Sequence, residues 1–455
     1  MKNPNSPSNE AKPQARKDRP REKAIDVLRR VEEGAFTDAL LDEARSEFEP
    51  RDSAFITELV YGILRNRGRI DWALNQFSSQ PIEKTDAWTR NILRLGAYQL
   101  LFLDKVPVSA ALNTSTELAK YHGKKHGYVN GLLRNLDRNR EAIRYPGPED
   151  AVKRLAVLYS HPGWLVTRWV DRYGAEKTEA LLAANNHPAL LIIRTNTLKT
   201  GRERLKASLE SEGAIIHETG YSPVGLQIVS SPGLKTLTSF QEGWFMVQDE
   251  AAQLVSMLLA PKPGETLLDA CAAPGGKATH LAELMGNQGA VVALDADAGR
   301  MEKIQQNIQR LGTTIVTPVK GDAARYREGL FDKVLVDAPC SGLGVLRRHP
   351  DGRWSKTMKT IRERLPLQRA ILENCAGLLK PGGALVYSTC TTEPEENEDV
   401  INAFLSTHEG EFRIDDPRPY LPPAAARLVD EQGFFRSFPD EPVMDGFFGV
   451  RLVRK

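Results

Sequence analysis

Leu267 to Lys277 reads LLDACAAPGGK: an apolar run closed by a carboxylate, a turn of small residues, and a lysine ahead of a helical pattern. A strand that empties into an Ala-Pro-Gly-Gly turn makes a ligand loop, because glycine has no Cβ to hold a bound molecule off the backbone. From Thr266 onward the pattern recurs as TLLDA, AVVALDAD, TIVTPV, KVLVDA and ALVYST, separated by helical segments at 280–285 and 301–311. That alternation predicts an α/β domain over 248–455 with a doubly wound, mostly parallel sheet. A last apolar run, Gly446 to Val453, is expected to add an antiparallel edge strand.

Upstream the period changes. Between 21 and 140 the apolar residues recur at helical spacing, as in Ala24, Val27, Leu28 and Val31, then Phe55 and Leu59, then Ile92 and Leu95, which predicts an all-α domain. Glu141 to Asp150, EAIRYPGPED, opens a linker over 141–160. Short β-rich runs near 190–194, 214–217, 226–229 and 244–247, with a helix about 202–212, predict a small α+β domain over 161–247. Residues 1–20 have the polar, Pro-rich composition of a disordered tail without a secretory h-region.

The 455 residues, 41% hydrophobic and 26% charged, suffice for several packed domains. No apolar run approaches the roughly 18 residues that span a bilayer, so no membrane partner is expected. With 61 basic and 59 acidic residues the net charge is only +2, so an anionic partner must meet local patches rather than bulk charge. Cys271, Cys340, Cys375 and Cys390 are too scattered for a disulfide framework and lack CxxC spacing. No metal is expected, and the reading is of a monomer in a reducing, cytoplasmic setting.

The loop 271–277 has neither G-x-G-x-x-G spacing nor the Walker order, since Ala278 follows Lys277. A nucleoside without phosphates therefore fits it better, held by carboxylates at the next strand ends, Asp295 and Asp322, and S-adenosylmethionine is the common one. Cys340 and Cys390 also end strands, amid small polar residues, with Asp337 just before Cys340, whereas Cys271 and Cys375 read as small core residues. A thiolate beside such a cofactor suits pyrimidine C5 methylation. Addition at C6 makes the ring enamine-like, C5 takes the sulfonium methyl, and a carboxyl such as Asp337 supports N3 while a second thiol or base assists release.

CAAPGGK at 271–277, DAPCSGLGVLRRHPDGRW at 337–354, LVYSTCTTEPEENE at 385–398, VQDEAAQ at 247–253 and the late DGFFGVRL together resemble the RNA 5-methylcytosine methyltransferases of the bacterial Sun/Fmu family. The resemblance implies a Rossmann-like S-adenosylmethionine-dependent methyltransferase domain preceded by a NusB-like helical domain and an RRM-like domain. It implies 16S ribosomal RNA, naked or in an early assembly intermediate, as the partner. Carried over to this chain, Cys390 matches the nucleophile and Cys340 the cysteine that aids product release. Cys271, Ala272, Ala273, Pro274, Gly275, Gly276 and Lys277 match the cofactor loop, Asp295, Asp322 and Asp337 match further cofactor positions, and Lys277 also lies near the reacting base. DNA cytosine methyltransferases take their nucleophile from a Pro-Cys motif, so the resemblance to the RNA family reverses the choice that Cys340 would otherwise invite. Ala278 and Gly449 depart from the family pattern, where Thr and an aromatic are frequent.

Two basic runs are candidates for RNA contact. Lys124 and Lys125 belong to a run over 120–140 with Tyr121 and Tyr128 interleaved, which reads equally as a solvated helix face. Arg347, Arg348, Arg353 and Trp354 follow the Cys340 motif, with Lys356, Lys359, Arg362 and Arg364 continuing the run, and stand closer to the proposed chemistry. Other classes remain on the residues alone: an RNA-binding assembly factor without catalysis, and a nicotinamide oxidoreductase, which leaves both strand-end cysteines without a role.

Overall fold

The computed structural model describes residues 18–122, 125–439 and 444–455. Of the tail expected over 1–20, residues 1–17 lie outside this range, and Arg19–Glu32 is already helix. The chain divides into two compact units, one ending at Thr167 and the other beginning at Arg168. Among the described residues no helix is long and apolar enough to cross a membrane.

The first unit is helical. Arg19–Glu32, Thr37–Glu47, Pro50–Phe77, Ala87–Phe102, Val108–His122 and His126–Arg138 turn the apolar stripes read from sequence onto a shared core that buries Leu28, Ile56, Leu59, Leu95 and Leu133. Asp86 starts the fourth of these helices by accepting from the Thr89 amide at 2.9 Å. The segment expected as a linker is bound along the long helix. Trp72 Nε1 donates to Arg144 O at 2.9 Å, Ser160 Oγ accepts from the Gly68 amide at 2.7 Å, and Ala151–Leu158 is itself a helix.

Arg94 is buried in this unit, which is tolerable only because its guanidinium faces two carboxylates. It donates to Asp71 at 2.8 and 2.7 Å and to Glu32, which Arg90 also holds at 2.7 Å. Burial opposes ionisation of Glu32, but the two arginines outweigh it and bring the carboxyl down to about 2.

The second unit holds both sheets. In the smaller, β1 (Leu191–Thr195), β2 (Ile215–Glu218), β3 (Gly225–Ser230) and β4 (Phe245–Val247) run in the order β2-β3-β1-β4, all antiparallel. Ile193, Ile216, Leu226 and Phe245 pack with Leu205 and Leu209 of the helix Arg202–Ser211. The helix Glu250–Leu258 lies against β1.

The larger sheet contains β5 (Thr266–Asp269), β6 (Ala290–Asp295), β7 (Val316–Lys320), β8 (Phe331–Asp337), β9 (Leu379–Thr389), β10 (Phe412–Ile414), β11 (Phe434–Ser437) and β12 (Phe447–Arg454). Its order is β10-β12-β9-β8-β5-β6-β7, with β11 on β12. Strands β5 to β9 pair in parallel, and their apolar residues alternate between two cores: Leu267, Leu335 and Val386 face the helices Glu250–Leu258 and Gly276–Leu284, whereas Leu268, Val334 and Tyr387 face Met358–Gly377 and Glu398–Thr407. The α/β architecture is the one expected. One detail is corrected: β12 is not an edge, because β10 and β11 pair with it beyond β9. Gly449, in this strand, sits where an added Cβ would meet Leu258 Cδ1 at 2.7 Å, which accounts for a residue without a side chain there.

Replacing Glu32 by Gln should cost the helical unit about 3–5 kcal/mol, the penalty for leaving a buried charge short of a partner. Because the folded carboxyl titrates about 2 against an ordinary 4.5, wild-type stability from this group is complete above pH 4.5 and is lost as the pH falls toward 2. Thermal unfolding against pH checks both points; a Tm unchanged in Glu32→Gln refutes them.

Candidate active site

The carboxyl ends of β5, β6, β8 and β9 converge, as the parallel pairing requires. Cys390 follows β9 directly, and Cys340 follows β8 through Ala338 and Pro339. The two Sγ atoms are 3.4 Å apart. The hydrogen bond from Cys340 favours the thiolate of Cys390, with Lys277 and His349 pulling the same way against burial and Asp337. The Cys340 thiol is pushed well up by that same bond and by burial. Either sulfur can donate across this contact, and the surrounding charges favour the thiolate at Cys390 over Cys340.

Lys277 Nζ reaches Asp337 Oδ2 at 2.6 Å, and Ser388 Oγ donates to Asp337 Oδ1 at 3.0 Å. Burial works against the Lys277 ammonium, and Asp337 more than offsets it, so the lysine is held charged next to the thiols. The ammonium also lies 5.5 Å from the Phe447 ring centroid.

The loop 271–277 is held by its own main chain and by side chains below it. The Ala272 amide donates to Leu294 O at 2.9 Å, the Ala273 amide to Asp295 Oδ2 at 3.0 Å, and Arg300 Nη2 to Ala273 O at 2.8 Å. Gly275 adopts φ +96°, a left-handed conformation that only glycine takes cheaply, and from it the helix Gly276–Leu284 begins. Asp295 is buried and also accepts from the Asp297 amide at 3.0 Å, whereas Asp322 is exposed past the end of β7 and accepts from the Ala324 amide at 2.9 Å. Cys271 lies in the loop with its thiol pushed well up by burial, and Cys375 is fully buried with its thiol at about 12.

Three groups escaped the sequence reading. Asp269 ends β5 with its carboxyl fully buried, where the Cys271 amide is its hydrogen-bonding neighbour and no side chain donates to either oxygen. Burial pushes it up to about 7, with the Lys277 ammonium pulling the other way. Arg194, buried on β1, donates to Glu283 at 3.0 and 2.7 Å and to Gly276 O at 2.6 Å, bracing the first turn of the loop helix. Glu393, just past Cys390, is buried and held by Trp169 Nε1 at 3.0 Å and by Arg168. A charged residue inside an apolar run, as in LIIRT, was the available signal for Arg194.

Part of the basic patch expected after Cys340 is corrected: Arg347 and Arg353 point inward and Arg348 is half-buried in ion pairs, whereas Lys359 and Arg362 of the same run are exposed. Arg347, 2% exposed, donates to Met444 O at 2.7 Å and faces Asp445 at 3.2 Å. Arg348 pairs with Asp249 at 2.7 Å and with Asp445, and Arg353, 0% exposed, donates to Asn186 Oδ1 at 2.6 Å and Asn185 O at 3.0 Å. A buried guanidinium satisfied by carboxylates and carbonyls has no face to offer a phosphate. Trp354 is half-buried beside them. In the helical unit, Lys125 is exposed and paired with Asp86 at 3.1 Å, and Lys124 lies outside the described residues.

Residues 256–453 match the model of the 16S rRNA methyltransferase RsmB/F family, residues 18–138 the NusB family, and residues 161–233 the RsmF/B-like ferredoxin-like domain. A probable ribosomal RNA small subunit methyltransferase B of Synechocystis sp. is 40% identical over 95% of this chain and 99% of its own length. The chain belongs to the ribosomal RNA small subunit methyltransferase B family. A family member from Salmonella newport is 34% identical, covering 93% of this chain and 96% of its own. The solved structure of PH0851 superposes with a TM-score of 0.80 and 31% identity over 95% of this chain and 98% of that one. That of NSun6 from Pyrococcus horikoshii with SFG superposes with a TM-score of 0.58 and 24% identity over 65% and 99%, a likeness of fold. The family resemblance read from the strand-end motifs thus holds, and the small domain expected as RRM-like matches a ferredoxin-like one.

Two outcomes test this geometry. Raised to about 7 against an ordinary 3.8, Asp269 holds its proton longer in the folded state, so stability falls as pH rises through that window. Asp269→Asn should remove the fall, its Tm exceeding the wild type by more above pH 7 than near 3.8, at about 2–4 °C per kcal/mol; an equal gap at both ends refutes it. Arg353→Met should lower Tm while the salt dependence of RNA binding keeps its slope, whereas a slope shallower by about one would restore the surface reading.

Proposed function

We propose that the chain transfers a methyl group from S-adenosylmethionine to C5 of one cytosine in 16S ribosomal RNA, with Cys390 as the nucleophile. The observation that carries this reading is the polarised sulfur pair, 3.4 Å apart, beside the Lys277–Asp337 ion pair. The family supports an RNA substrate, and the Asp269 carboxyl, buried beside a glycine-bearing loop with no side-chain donor on either oxygen, fits a ligand that brings an ammonium group. Asp269 and the loop 271–277 would hold the amino-acid end of the cofactor, and Asp295 and Asp322 its nucleoside. The cofactor supplies an electrophilic methyl on sulfonium sulfur.

The Cys390 thiolate adds to C6, and the ring's electron pair moves to C5 while Asp337 supports N3 and the exocyclic amino group. Lys277 keeps Asp337 in place and stabilises the thiolate until it bonds. After C5 has gained its methyl, the C5 proton must leave. Cys340, released from its hydrogen bond to Cys390, relays that proton, passing its own to water as it takes the one from C5; the C5–H electron pair re-forms the double bond and expels Cys390 as thiolate. One proton is released overall. The target base must be single-stranded or flipped out for a sulfur to reach C6. The chemistry also needs both thiols reduced, which suits the cytoplasm.

With labelled S-adenosylmethionine and a 16S rRNA transcript, Cys390→Ala should lose transfer altogether. Cys340→Ala should accumulate a covalent protein–RNA adduct on a denaturing gel, because addition persists while elimination slows. The reverse pattern would exchange the two roles, and full activity in Cys390→Ala would end the covalent reading.

A further inference from the structure

The two cysteines sit on separate loops, yet one dipeptide touches both. Glu396, buried beneath the Cys340 loop, accepts from the Ser341 amide at 2.8 Å, from the Ser341 hydroxyl, and from Gln368 Nε2 at 3.0 Å. Gln368 Nε2 also donates to Pro339 O at 3.1 Å. Cys340 is thereby held from the residue before it and the residue after it.

Asn397 treats Cys390 in the same way. Its Oδ1 accepts from Thr389 Oγ1 at 2.6 Å, and its Nδ2 donates to Thr391 O at 3.0 Å. The two halves meet where the Ser341 and Thr391 hydroxyls lie 2.9 Å apart. Tyr387, on β9, donates to Glu396 O at 2.8 Å and ties the clip to the sheet. Burial raises the Glu396 carboxyl while the Ser341 and Gln368 donors pull it down, so its acceptor capacity is spent on the Cys340 loop.

We infer that Glu396 and Asn397 are positioning residues that divide the reaction between them: Asn397 aims the sulfur that adds, and Glu396 aims the sulfur that releases. The inference rests on the covalent reading above. Addition needs Cys390 aligned on C6, and release needs Cys340 aligned on the hydrogen of the adjacent C5. Each alignment is set by different hydrogen bonds, so each can be loosened alone.

Glu396→Gln keeps the side chain's size but turns one acceptor oxygen into a donor facing other donors. Release should slow by about tenfold or more while addition proceeds, and a covalent adduct with the 16S rRNA transcript should build up. Ser341→Ala should move the same way by less. Asn397→Asp keeps the Thr389 contact and loses the donor to Thr391 O, so addition itself should slow by about tenfold and no adduct should accumulate. Tm and S-adenosylmethionine binding, measured on the same full-length proteins, identify loss of fold. Opposite adduct behaviour of the two neighbouring variants supports the inference. If both lose addition in proportion to Tm, or if Glu396→Gln releases normally while Cys340→Ala traps, the inference fails. If Cys340→Ala itself traps nothing, the covalent reading fails first.

Discussion

Two sulfurs within hydrogen-bonding reach, 3.4 Å apart, require two loops to deliver their backbones to one point, and the rest of the second unit is arranged around that requirement. Adjacent parallel strands lie about 4.8 Å apart, so the ends of β8 and β9, in register at Asp337 and Ser388, begin near enough. The turns beyond them close the remaining distance. The Gly344 amide donates to Cys390 O at 3.0 Å, and the Ala338 amide to Ser388 O at 2.8 Å, so the Cys340 loop is pinned on both sides of its cysteine to the end of β9.

Charge is kept in this interior by pairing. Lys277 with Asp337, Arg194 with Glu283, and Arg348 with Asp249 are each 2.6 or 2.7 Å apart, and each joins segments distant in the chain. Such pairs add little net stability over an apolar contact, but breaking one strands a buried charge, so they specify a single arrangement. Arginine suits this use because its planar fork meets two acceptors at once. The same property explains why a run of arginines after Cys340 braces the interior instead of facing RNA.

Much of the fold was legible locally. Strands β5 to β9 announce themselves as apolar runs with helical segments between them, since a strand buried on both faces has little room for polar residues. Strands β10 and β11 did not, because FRI and FFRS are short and carry an arginine midway. The site divided similarly. Cys390, Cys340, Asp337 and Lys277 stood out because each ends a strand or lies in a small-residue turn. Asp269 was inside the same motif and went unread, because an acid at a strand end is ordinary until its complete burial is known. Glu396 and Asn397 lay inside the segment 385–398 that carries the family resemblance and were given no role of their own.

The order of elements and the strand ends that carry the ligand edge were legible in the amino-acid sequence, because strand alternation and glycine turns are decided by near neighbours, and the family followed from the resemblance of its motifs. That the two sulfurs meet, that Arg347 and Arg353 turn inward, and that burial raises the Asp269 carboxyl were decided only by the tertiary structure. Hydrogen bonding and burial depend on groups brought together from distant parts of the chain, and no local pattern of residues encodes them.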